Sequence, residues 1–235
     1  MMEWIVENKQ DAVQAEKLGA DRLELIASYP VGGVTPSIGL IRQVVDAVTI
    51  PVQVMVRPDA YSFVYTEDLK NVILNDIKLL KSYGLNRIVL GANKVDRTID
   101  KDLVERAIEQ NNEINITFHR AFDELSDLQK GYKDLIPYKE HVKRILTSGG
   151  SANCTQGLPV LKKLVQLQRE TNGPVIMPGS GLNAETIGDI HQEIDADEYH
   201  FGTGVRIGGS MTAGFDPDRI ENIRDVLKSD GKHKV

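Results

Sequence analysis

Eight short β-rich runs, separated by amphipathic helical stretches from one end of the chain to the other, leave few folds open. The runs fall near residues 3–6, 22–27, 52–57, 87–91, 114–119, 143–147, 174–178 and 198–201. Strands that alternate with helices predict a parallel sheet joined by crossover helices. Eight units in 235 residues give about 29 residues each, close to the ~30 of a βα repeat. The expected class is therefore α/β, a single (β/α)₈ TIM barrel over residues 1–228, with 229–235 expected to be a disordered tail. An open doubly wound sheet competes, but no Gly-x-Gly-x-x-Gly turn follows the first strand.

The joints agree with this reading. An amphipathic helix over 9–18 stops at Gly19, where glycine takes a left-handed backbone without a Cβ penalty. Gly84 repeats the device before Asn86-Arg87-Ile88-Val89-Leu90, and a third strand opens as Lys143-Arg144-Ile145-Leu146-Thr147.

Alternation along each strand sorts the side chains into an inward and an outward set. Val52, Val54 and Val56 belong against helices, which turns Gln53, Met55 and Arg57 inward. The same reasoning turns Asn115, Thr117 and His119 inward, with Glu24 and Ile26 of the second strand and Glu198 and His200 of the eighth. Buried charges must pair, so Glu24 or Glu198 is expected to meet Arg57. Arg57, His119 and His200 fall at the C-terminal strand ends, where barrels carry their sites. The candidate catalytic set is Glu24, Arg57, His119, Glu198 and His200, with a histidine as general acid–base near neutral pH.

Glycine turns after the sixth and seventh strands let backbone N–H groups approach an anion. Ser148-Gly149-Gly150 and Gly179-Ser180-Gly181 are thus candidate anion-binding loops, and a small anionic molecule is the expected partner. The Gly32-Gly33 loop reads as a lid or rim.

Other chemistries find less support. A net charge of −6 argues against general nucleic-acid binding. No run approaches the ~20 apolar residues of a membrane span. The first residues lack the basic start and apolar stretch of a signal peptide, so a cytoplasmic location is expected. One cysteine, Cys154, excludes a disulfide framework, and nothing marks it as an activated nucleophile. No strand-end lysine suggests a Schiff base. A divalent site from His119, His200 and Glu24 or Glu198 is conceivable but lacks a spacing motif, so no metal is assigned and the cofactor stays open. His141, His191 and His233 read as helix-surface or tail residues.

Six ordered motifs carry a family resemblance. They are Gly32-Gly33-Val34-Thr35-Pro36-Ser37-Ile38-Gly39-Leu40, Val54-Met55-Val56-Arg57-Pro58 and Thr117-Phe118-His119-Arg120-Ala121-Phe122-Asp123, then Arg144-Ile145-Leu146-Thr147-Ser148-Gly149-Gly150, Ile176-Met177-Pro178-Gly179-Ser180-Gly181 and Glu198-Tyr199-His200. Over residues 2–205 the chain resembles the CutC family, named for copper homeostasis. The resemblance implies a (β/α)₈ barrel, a cytoplasmic location, a homo-oligomer and a part in copper homeostasis. Members proposed to bind Cu(I) carry cysteines in the first strand and at the end of the second; here those positions are Ile5 and Ile26. Cu(I) selects thiolate or thioether ligands, so direct Cu(I) binding at that place is not expected. The family's Arg-Pro-Arg-Gly-Gly-Asp-Phe run reads Arg57-Pro58-Asp59-Ala60-Tyr61-Ser62-Phe63, whereas Asp96-x-x-x-Asp100 is kept. The alternatives are an acid–base enzyme acting on a small anionic or phosphorylated metabolite, and a ligand-binding barrel without turnover.

Overall fold

The computed structural model describes residues 1–229. Eight parallel strands alternate with eight main helices. They run β1 (Met2–Val6), α1 (Lys9–Lys17), β2 (Arg22–Leu25), α2 (Ile38–Val45), β3 (Val52–Met55), α3 (Glu67–Ser82), β4 (Arg87–Leu90) and α4 (Lys101–Gln110). The second half is β5 (Asn115–Phe118), α5 (Leu128–Leu135), β6 (Val142–Thr147), α6 (Cys154–Thr171), β7 (Val175–Pro178), α7 (Ile187–Ile194), β8 (Tyr199–Phe201) and α8 (Pro217–Ser229). Consecutive strands pair from β1 to β7, and β8 pairs with β1. A parallel bridge between Gly179 and His200 joins β7 to β8 and closes the barrel. Every expected strand is present. The expected disordered tail lies outside the described residues from position 230, while Ser229 ends α8. Among the described residues no helix is long and apolar enough to cross a membrane.

Local chemistry sets the boundaries. The side chains of Asn8, Ser37, Thr66, Asp100, Asp127 and Asn153 each accept from a first-turn backbone amide of the helix that follows. Caps of this kind contribute about 1 kcal/mol each. Gly19, at φ +90°, releases the chain from α1 as its position suggested.

The alternation in the strands produces two unequal cores. The outward residues, among them Trp4, Leu23, Leu25, Val54, Ile88, Phe118 and Ile145, form one large cluster with the helices. The inward aliphatic cluster is small: Ile5, Ile26, Met55 and Val89, with Tyr29 and Met211 packed on it. The N-terminal half of the barrel interior is charged instead. Arg22 pairs through Nε with Glu3 and through Nη2 with Glu198, and Arg144 Nε reaches the same Glu198 oxygen at 3.0 Å. Arg144 also donates to Asn115 and Thr117, and Gln53 to Asn115. Such a floor is tolerated because each charge has a partner.

Candidate active site in the barrel mouth

Above the floor, the strand ends and following loops enclose a cavity of about 660 Å³ whose lining includes Glu24, Arg57, His119 and His200. Ile5, Ile26 and Met55 form part of its apolar base.

A column of ionisable groups rises from floor to mouth. Glu3 takes Arg22 on one oxygen and His200 Nδ1 on the other, at 2.9 Å. His200 Nε2 then lies 3.5 Å from Glu24 Oε2. Burial by itself would raise the Glu3 carboxyl, but the Arg22 guanidinium and His200 bring it down to about 2. Glu3 is therefore a fixed negative charge. Burial also works against a charged His200, yet Glu24 and Glu3 raise its pKa above the ordinary imidazole value. Glu24 has no such arginine contact. Burial foremost, and then the Glu3 charge, lift its carboxyl to about 7 against the pull of His200 and Arg22. Its Oε1 is buried and has no hydrogen-bond partner among the described residues. A carboxyl poised near neutrality with a free oxygen at a cavity wall is suited to exchanging a proton with a bound molecule.

His119 is held in the opposite way. Its Nδ1 accepts the Ala121 amide at 3.1 Å, so in the neutral ring the proton sits on Nε2. That Nε2 is buried and unpartnered among the described residues. Burial, with Arg57 adding repulsion, depresses the imidazole to about 3. The general acid–base part expected of a histidine near neutral pH therefore does not suit His119, which stays neutral there. The ring leans on Phe63, centroids 4.8 Å apart, and a Cβ at Gly91 would meet its Nδ1 at 2.5 Å.

Arg57 does not make the expected ion pair with Glu24 or Glu198. Its Nη1 donates to the carbonyls of Val31 and Gly33 at 3.2 and 3.0 Å, and Nη2 donates to Ala60 at 3.1 Å. The guanidinium also lies 4.7 Å over the Phe63 ring. Arg57 ties the loops after β2 and β3 together while still facing the cavity. Glu198 belongs to the floor, at the other end of the strands from the mouth.

The two glycine loops also part company. The amides of Ser148 and Gly150 both donate to Asp123, at 3.0–3.1 Å, and that carboxylate pairs with Arg120. The loop is an anion cradle whose anion comes from the chain itself. Gly149 donates to Thr147 Oγ1 and Gly179 to Thr147 O, so these amides too are committed. Ser180 and Gly181, at φ +95° and +73°, line the cavity.

Sequence reasoning passed over Glu3, although the alternation Met2-Glu3-Trp4-Ile5-Val6 places it inward beside Ile5. His191 is buried rather than on the surface, with Nδ1 2.7 Å from the Tyr199 hydroxyl. His141 sits in the turn before β6, and His233 lies outside the described residues.

The donors for metal are few. Glu3, Glu24 and His200 bring ligand atoms within 4.8 Å of one another. Both Glu3 oxygens and His200 Nδ1 are already engaged, leaving Glu24 and one imidazole nitrogen. Cys154 is fully buried, and burial, then the Asp123 charge, pushes its thiol up to about 12. Met177 rests its sulfur against Arg22, Met55 lines the cavity and Met211 packs on the inward cluster beside it, so thioethers are present without a cavity-facing thiolate among the described residues. This set does not fit Cu(I), which favours soft sulfur ligands.

Fold and site together define a (β/α)₈ barrel with an ionisable pocket at the C-terminal strand ends. The model of the CutC family matches residues 1–205, and the chain belongs to that family. It is 36% identical over 200 residues to the Homo sapiens copper homeostasis protein cutC homolog, covering 85% of this chain and 72% of the relative. A CutC family protein from Glaesserella parasuis is 37% identical over 201 residues, 85% of this chain and 81% of its own. The crystal structure of a CutC from Streptococcus agalactiae superposes with a TM-score of 0.78 at 30% identity, covering 86% and 98% of the two chains. Phosphoribosyl anthranilate isomerase from Thermococcus kodakaraensis, at TM-score 0.61 and 15% identity over 97% and 98%, shares the fold.

Proposed function

We propose that the protein serves copper homeostasis, as its relatives are named, through an acid–base reaction on a small anionic metabolite and not by holding Cu(I). Glu24 exchanges the proton and His200 sets its charge. Arg57 and the Ser180–Gly181 turn, which both line the cavity, attract and seat the anionic end. The observation that carries the reading is the free, buried Glu24 Oε1 on the cavity wall, in a carboxyl raised to about 7. The aliphatic Ile5 and Ile26 in the cavity base support the negative half. The reading places the protein in the cytoplasm, where pools of small phosphorylated metabolites lie.

The test is a thermal-shift panel of phosphorylated and carboxylated metabolites, run beside competition with a Cu(I) chelator. A ligand at a hundred times its Kd stabilises by about 2.7 kcal/mol, or roughly 5–10 °C for a chain of this size. The expected result is such a shift from at least one anion, with no stoichiometric Cu(I) retained. A panel without a shift sinks the metabolite reading, and tight Cu(I) retention sinks the rest.

A further inference from the structure

Resting on that acid–base reading, we propose that the substrate is a carbonyl compound carrying an α-hydroxyl and an anionic end, and that the site enolises it. In this assignment His119 Nε2–H polarises the carbonyl oxygen while Glu24 removes the neighbouring carbon-bound proton.

The argument begins from the tautomer. The Ala121 amide occupies His119 Nδ1, so the ring has one proton to offer, on Nε2, and that atom is buried without an acceptor. An unsatisfied buried donor is costly, and the surroundings keep the ring in this arrangement. Gly91 leaves the space that the imidazole fills, and Phe63 supports its face. Arg57 lies near enough to oppose a second proton. A site built to hold a phosphate or carboxylate would gain from a charged imidazolium. A neutral imidazole instead donates a hydrogen bond that strengthens as charge develops on a carbonyl oxygen, without surrendering its proton early. His119 is thus matched to an oxygen that becomes negative during the reaction.

Glu24 supplies the other half. Its free Oε1 and the His119 Nε2 both belong to side chains lining one cavity. The carboxylate takes a proton from the carbon bearing the hydroxyl, and the C–H electron pair becomes the new C=C bond. The C=O π pair moves to oxygen, where His119 Nε2–H receives it in a hydrogen bond. Return of the Glu24 proton to the former carbonyl carbon, with proton exchange between the two oxygens, completes an aldose–ketose type isomerisation. No oxidant, reductant or second substrate is consumed. Apolar Ile26 and Met55 line the same cavity and limit water access to the enediolate.

The test compares two probes on the full chain: phosphoglycolohydroxamate, which imitates an enediolate, and 2-phosphoglycolate, which does not. The expected result is about tenfold or greater preference for the hydroxamate in the wild type, falling to about twofold or less in His119→Gln. Equal affinity for the two probes, or a preference that survives in His119→Gln, overturns the proposal. Should that variant not fold, ¹⁵N spectra of histidine-labelled wild type decide. Protonation of Nε2 alone across about pH 5–9 is expected, and a ring that titrates near the ordinary ~6.5 overturns the assignment. Dihydroxyacetone phosphate in D₂O should gain carbon-bound deuterium with the wild type and not with Glu24→Gln; no gain with either overturns the enolisation. Failure of the hydroxamate while other anions still stabilise the protein removes the carbonyl assignment and leaves the metabolite reading standing.

Discussion

Glu24→Gln should make the protein more stable, and by an amount that grows with pH. In the folded chain the carboxyl titrates at about 7 rather than its ordinary 4.5, because burial and the neighbouring Glu3 charge disfavour ionisation. The folded state therefore keeps a proton that the unfolded chain has released, and stability falls as pH rises from about 4.5 to about 7. The rise from 4.5 to about 7 corresponds to about 3 kcal/mol at most. The ionised form also draws on His200 Nε2 at 3.5 Å, and Gln gives up that attraction. A net gain of about 1–2 kcal/mol at pH 8 follows, or roughly 2–8 °C in Tm for a chain of this size. Near pH 4.5 the folded carboxyl holds nearly all of its proton and the unfolded one about half, so the difference shrinks to about 0.4 kcal/mol and the two proteins should melt almost together. Paired thermal melts at the two pH values, with urea denaturation as a second measure, check this. A variant less stable than wild type at pH 8, or a gap that does not change with pH, would refute the reasoning, because Glu24 would then be an ionised partner of His200 and not a carboxyl held against its preference.

Three further outcomes test the surrounding structure. Glu3→Gln leaves Arg22 and His200 without their buried carboxylate and should cost about 3–5 kcal/mol at pH 7. Since Glu3 is held down to about 2, its contribution is present above about pH 4.5 and lost toward pH 2, so urea midpoints of variant and wild type should converge in acid. Gly157→Ala should destabilise by about 1–3 kcal/mol, although alanine in a helix interior normally gains about 1, because its Cβ would overlap the Ser148 carbonyl oxygen; a gain in Tm would contradict the close approach of α6 to the loop after β6. Cys154, buried and raised to about 12, should resist iodoacetamide in the native protein and react once in urea, as read by intact mass.

The barrel and the inward faces were legible because they depend on local periodicity. Val52-Gln53-Val54-Met55-Val56-Arg57 fixes which side of β3 meets the helices without knowledge of any other strand. Partner choice was less legible because it depends on distances across the fold. Arg57 was expected to find a carboxylate, but the nearest acceptors for its guanidinium are loop carbonyls, which every sequence has and no side-chain pattern reveals. The turn at Ser148-Gly149-Gly150 was recognisable as a place for an anion. That the anion is Asp123, from 25 residues upstream, required the third dimension. His191 was misplaced because a single polar residue on a short helix gives no sign that a tyrosine hydroxyl waits beneath it.

The charged floor and the ionisable mouth are one construction. An interior filled with valine and leucine would give Glu24 and His200 nothing to set their charges against. Here Arg22 fixes Glu3 as an anion, Glu3 holds His200 by Nδ1, and His200 presents Nε2 toward Glu24. Each step is a buried contact, so the protonation state at the mouth depends on a guanidinium at the opposite end of β2. A metal-carrier role would need donors that let go of their protons and face the cavity in a set of three or four, and the column commits those atoms to one another. An acid–base role needs the reverse: one carboxyl left unsatisfied, with its proton affinity set from below. Glu24 is in that position, and the two isoleucines at its side keep the place dry without offering copper a ligand.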